Sequence, residues 1–191
     1  MNNESLVQAV RVLNQGGVII FPTDTAFGIG CRMDNIAAVE RLFEIRQRPL
    51  TQTPPILISS IEKSKEYAQV SEKVENDLLR VYWPGALTVI MPVKENINPL
   101  LHKDTGIGLR MPNHEQVLAL LAAVEVGILG PSANFHGNST PYLFSLLDPE
   151  LVRKVDYVLE GECTLQKEST VISCLQSPWS IVRQGAVVLP L

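Results

Sequence analysis

Apolar residues recur along the chain at two different periods. Leu6, Val10 and Leu13 fall at helical spacing and run into Gly16-Gly17, which predicts an N-terminal helix closed at a glycine. The next run, Val18-Ile19-Ile20-Phe21-Pro22, is too apolar to lie exposed and predicts a buried strand at 18–22. Ile36, Val39, Leu42, Phe43 and Ile45 share one face of a second helix, with Asp34 in position to cap it and Pro49 to stop it. A further helix is predicted from Ser71 through Val74, Leu78 and Val81 to Trp83-Pro84-Gly85. Another starts near His114 and carries Val117, Leu118, Leu121 and Val124. Short apolar runs predict strands at 56–58, 87–91, 107–111 and 127–130. The last third predicts a helix near 142–153 and strands at 157–159, 170–172 and 181–182. Strands alternating with helices predict a layered α/β sheet, and the absence of repeats or linkers predicts one domain over 1–191.

Composition changes this picture little. A net charge of −4 over 191 residues argues against a generic nucleic-acid coat, although it leaves room for a local basic pocket. Cys31, Cys163 and Cys174 are odd in number and scattered, so neither a zinc site nor a disulfide framework is expected; they read as reduced and buried. The N-terminus lacks a signal-peptide pattern and no apolar run is long enough to cross a bilayer, which predicts a cytoplasmic protein with no membrane partner.

Candidate chemistry gathers where strands meet polar residues. Thr23-Asp24-Thr25 and Gly28-Ile29-Gly30 follow the first strand, Ser132-Ala133-Asn134 follows a later one, and Glu168-Ser169-Thr170 opens another. Arg46 and Arg48 sit at a helix end, while Arg110 and Arg183 lie on apolar strands. An unpaired buried guanidinium is costly, so each needs a partner. That partner is either an internal carboxylate such as Glu44 or Glu168, or a phosphate or carboxylate ligand met bidentately. Two arginines together, with two more near hydroxyl-bearing loops, favour an anionic ligand. There is no P-loop, no complete dinucleotide fingerprint, no Gly-x-Ser-x-Gly elbow and no close carboxylate cluster for a metal. Of the three histidines only His136, beside the 132–134 loop, is placed to matter.

The ordered segments resemble the YrdC-like family of threonylcarbamoyl-AMP synthases, also called TsaC. The resemblance rests on GGVIIFPTDTAFGIG at 16–30, RQRP at 46–49, WPGALTVIMP at 83–92, GLRMPNH at 108–114, GPSAN at 130–134, ESTVI at 168–172 and IVRQG at 181–185. It implies a single-domain YrdC-like α/β fold, a twisted, mostly mixed β-sheet flanked by helices with a concave, locally basic site. It implies synthesis of threonylcarbamoyl-AMP and pyrophosphate from L-threonine, bicarbonate or CO2, and ATP, for modification of tRNA position 37. ATP is then a substrate, Mg2+ arrives with the nucleotide, and the partners include other tRNA threonylcarbamoylation proteins. By the same resemblance Thr25, Arg110, Gly130 and Ser169 hold threonine. Arg48, Ser132, Asn134, Thr140 and Arg183 line the ATP site, and Arg46 and Arg48 supply catalytic charge.

The chain departs from the family pattern at Arg46, where lysine is usual, at Phe27, where tyrosine is usual, and across Thr51-Gln52-Thr53-Pro54-Pro55. A nucleotide contact from Thr105 depends on a one-residue register. These departures motivate an alternative, a YrdC-like paralogue that binds RNA without efficient synthesis. A carbamoyl-phosphate-using relative is a third reading, weakened because the acylphosphatase and zinc-finger segments that accompany that domain are absent from this sequence.

Overall fold

The computed structural model describes residues 3–49 and 53–190. Helix α1 (Asn3–Asn14) buries Ala9 and Leu13 and ends at Gly16, whose φ of +83° suits glycine. It is followed by β1 (Ile19–Phe21) and, across the turn at 22–27, by the antiparallel β2 (Gly28–Gly30). Strand β7 (Tyr157–Val158) joins β1 in parallel, giving a three-stranded sheet in the order β2-β1-β7.

The second sheet has six strands. They are β3 (Ile56–Leu57), β4 (Leu87–Pro92), β5 (Gly106–Arg110), β6 (Ile128–Leu129), β8 (Thr170–Ser173) and β9 (Ser180–Arg183). Their spatial order is β6-β3-β5-β4-β8-β9, with parallel pairs β3·β5 and β4·β8 and antiparallel pairs elsewhere. Isolated bridges Gly28↔Ser132 and Arg32↔Ile128 stitch the two sheets together. Gly30 lies so close to β6 that an added Cβ would stand 1.8 Å from the Leu129 carbonyl oxygen. Gly-x-Gly here serves close packing of one strand on another.

Apolar side chains on alternate faces of β1 enter two cores. Ile19 and Phe21 pack with α1 and α6 (Glu115–Val124), while Val18 and Ile20 join the larger core with α2 (Ile36–Ile45). The cap of α2 is Asn35 rather than Asp34: Ala38 N–H donates to the Asn35 side chain at 3.1 Å, whereas Asp34 pairs with Arg32. Ser71 caps as expected, but the helix passes through a π turn at Glu75–Leu79. The π turn rotates the stripe, so Leu78 and Leu79 are buried and Val81 is exposed. On α6 Leu120 is buried and Leu118 only partly so. The helix expected near 142–153 is two short pieces, a 3-10 turn at Phe144–Leu146 and a helix at Pro149–Val152. Asp148, which caps the second, separates them.

Asp156 ties β1 to its surroundings. It accepts from Val18 N–H at 2.7 Å and from Arg41 Nη2 at 3.0 Å. The Arg41 hydrogen bond holds its carboxyl below the ordinary value of 3.8, against a smaller opposing effect of burial. A depressed carboxyl stabilises the fold above its unfolded value and loses that contribution as pH falls through the folded one. Asp156→Asn is therefore expected to flatten the acid limb of stability between about pH 5 and 2, as read by urea denaturation. An acid limb identical to that of the wild type would contradict this.

Candidate active site

Period-two alternation in the six-stranded sheet builds a cavity floor. Leu87, Val89 and Met91 of β4 and Ile107 and Leu109 of β5 point into the core, which sends Thr88 and Ile90, and Gly106, Gly108 and Arg110, to the other face. Val171 and Ser173 of β8 continue this floor. At Gly108 an added Cβ would stand 3.6 Å from the Thr88 side chain, an ordinary contact distance, so no close approach requires glycine there. The cavity holds about 530 Å³, within the usual range for small-molecule sites.

One wall comes from the turn after β1. Thr23 Oγ is bound by Thr25 N–H at 3.1 Å and Ala26 N–H at 3.2 Å, an arrangement that aims Thr25 at the cavity. Arg110 rises from β5 to meet it. Its Nη1 donates to Thr25 Oγ at 2.7 Å, its Nε to the Gly85 carbonyl at 3.0 Å, and its Nη2 to Asp24. Three of its five N–H bonds are thus spent, and two remain for a ligand. Both partners of the Arg110–Asp24 pair are almost fully buried. Burial pulls the guanidinium below its ordinary value and Asp24 opposes that pull.

A second wall joins β8 to β9. Arg183 Nε and Nη2 both donate to the Ser169 carbonyl, at 3.1 and 2.9 Å, and Nη2 reaches Ser169 Oγ at 3.1 Å. Ser169 Oγ also lies 3.0 Å from Thr88 Oγ. Glu168 accepts from Thr140 at 2.9 Å and pairs with Arg183 Nη1 at 3.1 Å. Gly185 lies against this segment, where an added Cβ would be 2.4 Å from the Glu168 carbonyl oxygen.

The third group comes from the end of α2. Gln47 N–H donates to Glu44 O and Arg48 N–H to Phe43 O, each at 3.0 Å, and Gln47 takes φ +53°. These bonds form a Schellman closure with glutamine in the left-handed position where glycine is usual. The reversal parts the two arginines. Arg48 enters the cavity wall, with its Nε buried and unpartnered. Arg46 is 3% exposed and lies behind the wall; its Nε donates to Asn134 O at 3.1 Å, and its carbonyl accepts from His136 N–H at 2.9 Å. Among the described residues neither arginine has a carboxylate partner. Burial first, then repulsion by Arg48, draws Arg46 down to about 10, and burial lowers Arg48. Both remain cationic at neutral pH, and an anion between them and Arg110 would relieve the uncompensated charge.

Of the residues singled out by sequence, Thr25, Arg48, Arg110, Gly130, Ser132, Thr140, Ser169 and Arg183 line the one cavity. Arg46 and Asn134 do not; Asn134 turns its amide to Phe135 O at 3.0 Å and Asn138 O at 2.7 Å. His136 contributes a backbone N–H and its side chain is exposed. Arg183 does pair with Glu168, as the internal-partner reading allowed, and Arg110 pairs with Asp24. Thr51 and Gln52 lie outside the described residues, whereas Thr53, Pro54 and Pro55 line the cavity. Thr105 is not on the wall; its neighbours Lys103 and Asp104 are, carried there by the hairpin in which Lys103 and Gly106 exchange backbone bonds. The sequence signal for that hairpin was Asp104-Thr105-Gly106 before a strand. The charged side chains of the lining are Arg48, Lys103, Arg110 and Arg183 together with Asp104 and Glu168.

Fold and cavity together define an α/β protein with an arginine-lined cavity. A family model described as "Telomere recombination" (Sua5, YciO, YrdC) matches residues 11–185. The chain belongs to the Sua5/YciO/YrdC family. It is 33% identical over 95% of its length to all of a Photobacterium profundum protein named threonylcarbamoyl-AMP synthase. A Bacillus subtilis protein of that name is 29% identical over 97% of this chain, which spans 55% of that relative. Among solved structures, Pyrococcus abyssi Sua5 complexed with L-threonine matches with TM-score 0.89 and 30% identity over 94% of this chain and 54% of that one. Escherichia coli YciO matches with TM-score 0.82 and 28% identity over 94% of this chain and 88% of that one. The chain therefore spans about half the length of some relatives and the whole of others.

Proposed function

We propose that the chain, acting as one YrdC-like domain in the cytoplasm, is a threonylcarbamoyl-AMP synthase serving tRNA modification. The observation that carries the reading is the buried, unpartnered Nε of Arg48 in a cavity that also holds Arg110 with N–H bonds to spare. The names of the full-length relatives support synthase over an RNA-binding paralogue.

In this reading Arg110 and Thr25 grip the threonine carboxylate and hydroxyl, with Ser169 and the backbone at Gly130 closing the subsite. The neutral amine adds to CO2: the N–C bond forms as a C=O π pair moves onto oxygen, and the nitrogen then passes a proton to solvent, giving a carbamate. A carbamate oxygen then forms a bond to the α-phosphorus as the bond to pyrophosphate breaks, and the electron pair leaves with pyrophosphate. Both partners are anions, so the chain's task is alignment and charge neutralisation. Arg48, Ser132, Thr140 and Arg183 hold the nucleotide. Arg46 acts one layer back, fixing the 134–136 backbone, with Asn134 bracing the same loop. Among the described residues no group of three or more metal-ligating side chains converges. A magnesium ion would enter with the nucleotide substrate, as this ion commonly does.

The test is pyrophosphate release from ATP by purified protein, with and without L-threonine and bicarbonate, and with serine as control. Release that needs both threonine and bicarbonate is expected. Release that ignores threonine, or none from folded protein that binds ATP, would contradict the reading.

A further inference from the structure

Two of the arginines on the cavity wall carry carboxylates, but in different settings. The Arg110–Asp24 pair is buried, with side chains 7% and 3% exposed, whereas the Arg183–Glu168 pair stands in water at 45% and 39%. A buried pair that loses one member leaves an uncompensated charge and does not exchange. An exposed pair is worth little and yields to a competing anion.

Arg183 does not need Glu168 for its orientation. Its Nε and Nη2 are fixed on the Ser169 carbonyl, so the ion pair only occupies Nη1. Glu168 also accepts a hydrogen bond from the hydroxyl of Thr140, which lines the same cavity. A carboxylate on the wall of a site for a polyanion opposes binding by its charge, yet this one holds two of the donors that the ligand would use.

We infer that Glu168 is an internal competing anion that sets charge selectivity at this site. In the nucleotide-free protein it occupies Arg183 Nη1 and Thr140, and a polyphosphate displaces it where a monophosphate does not. This rests on the synthase reading and deepens it. Loss of pyrophosphate lets Glu168 return to Arg183, so the product, with one phosphoryl charge, faces a site with two fewer free donors than ATP did.

The experiment is equilibrium binding of ATP, inorganic pyrophosphate and AMP to wild type, Glu168→Gln, Arg183→Ala and the double variant, with melting temperatures as fold controls. Glu168→Gln is expected to tighten ATP and pyrophosphate by roughly two- to five-fold, the size of an exposed ion pair, and to leave AMP within two-fold. In the Arg183→Ala background the gain should vanish, because the competition acts through Arg183. Weaker ATP binding in Glu168→Gln would make Glu168 a positioning residue and overturn the inference. A gain that survives Arg183→Ala, or one equal for AMP, would reduce it to a general field effect and overturn it too. Threonine-dependent pyrophosphate release by the wild type is measured alongside. Normal release with no binding gain defeats this inference alone, while no release defeats the synthase reading.

Discussion

Arg48→Ala is expected to cut threonine-dependent pyrophosphate release by roughly 100- to 1,000-fold, the usual cost of deleting one preorganised charge donor at a reacting centre. The same change should leave the melting temperature unchanged or slightly higher. The Arg48 guanidinium has a buried Nε with no acceptor and lowers its neighbour Arg46 by repulsion, so the folded protein gains nothing from it without a ligand. A side chain that costs the apo fold and serves the bound state separates function from stability. Arg48→Lys should recover part of the activity, because it restores charge without the planar fork. Near wild-type turnover in Arg48→Ala would remove Arg48 from the site, and a large drop in melting temperature would make it structural.

Asp24→Ala is expected to destabilise the protein by about 3–5 kcal/mol, since it strands the Arg110 guanidinium in a buried setting without its carboxylate. Thr25 and the Gly85 carbonyl would still accept from Arg110, but neither carries a charge to balance it. Replacing both members, as Asp24→Ala with Arg110→Met, should recover much of the loss because apolar substitution of a whole buried pair is commonly near neutral. Urea denaturation of the two variants reads this directly. A loss below about 1 kcal/mol in Asp24→Ala, or no recovery in the double variant, would contradict the account of this pair.

The core strands were legible because they are continuous apolar runs with nowhere else to go. The run at 18–22 became β1 and that at 87–91 became β4, each within a residue or so. Caps and interruptions were less legible, because they turn on single hydrogen bonds. Asp34 and Asn35 are equally good caps by residue type, and only the competing Arg32–Asp34 pair leaves the role to Asn35. Likewise the π turn at Glu75–Leu79 shifts which residues face inward without leaving a mark in the apolar spacing.

At the site, the residue types and their strand-end positions were readable, but their depth was not. Arg46-Gln47-Arg48 reads as two equivalent cations. The left-handed Gln47 sends one into the cavity and the other behind its wall, and glutamine gives no warning of that conformation. The strand expected at 107–111 lies one residue earlier, at Gly106–Arg110, and the alternation of Gly106 and Gly108 with Ile107 and Leu109 places Arg110 on the cavity face. The partner of Arg183 was within reach of sequence reasoning, since Glu168 was named as one internal acceptor. The partner of Arg110 was not, because Asp24 is far away in the chain and meets it only through the turn after β1.

The most direct measurement is mass spectrometry of the nucleotide products formed from ATP, L-threonine and 13C-labelled bicarbonate. An adenylate that carries threonine and one added 13C atom is expected, formed in step with pyrophosphate and absent when threonine is replaced by glycine. AMP or ADP without a labelled adenylate, from protein that binds both substrates, would contradict it.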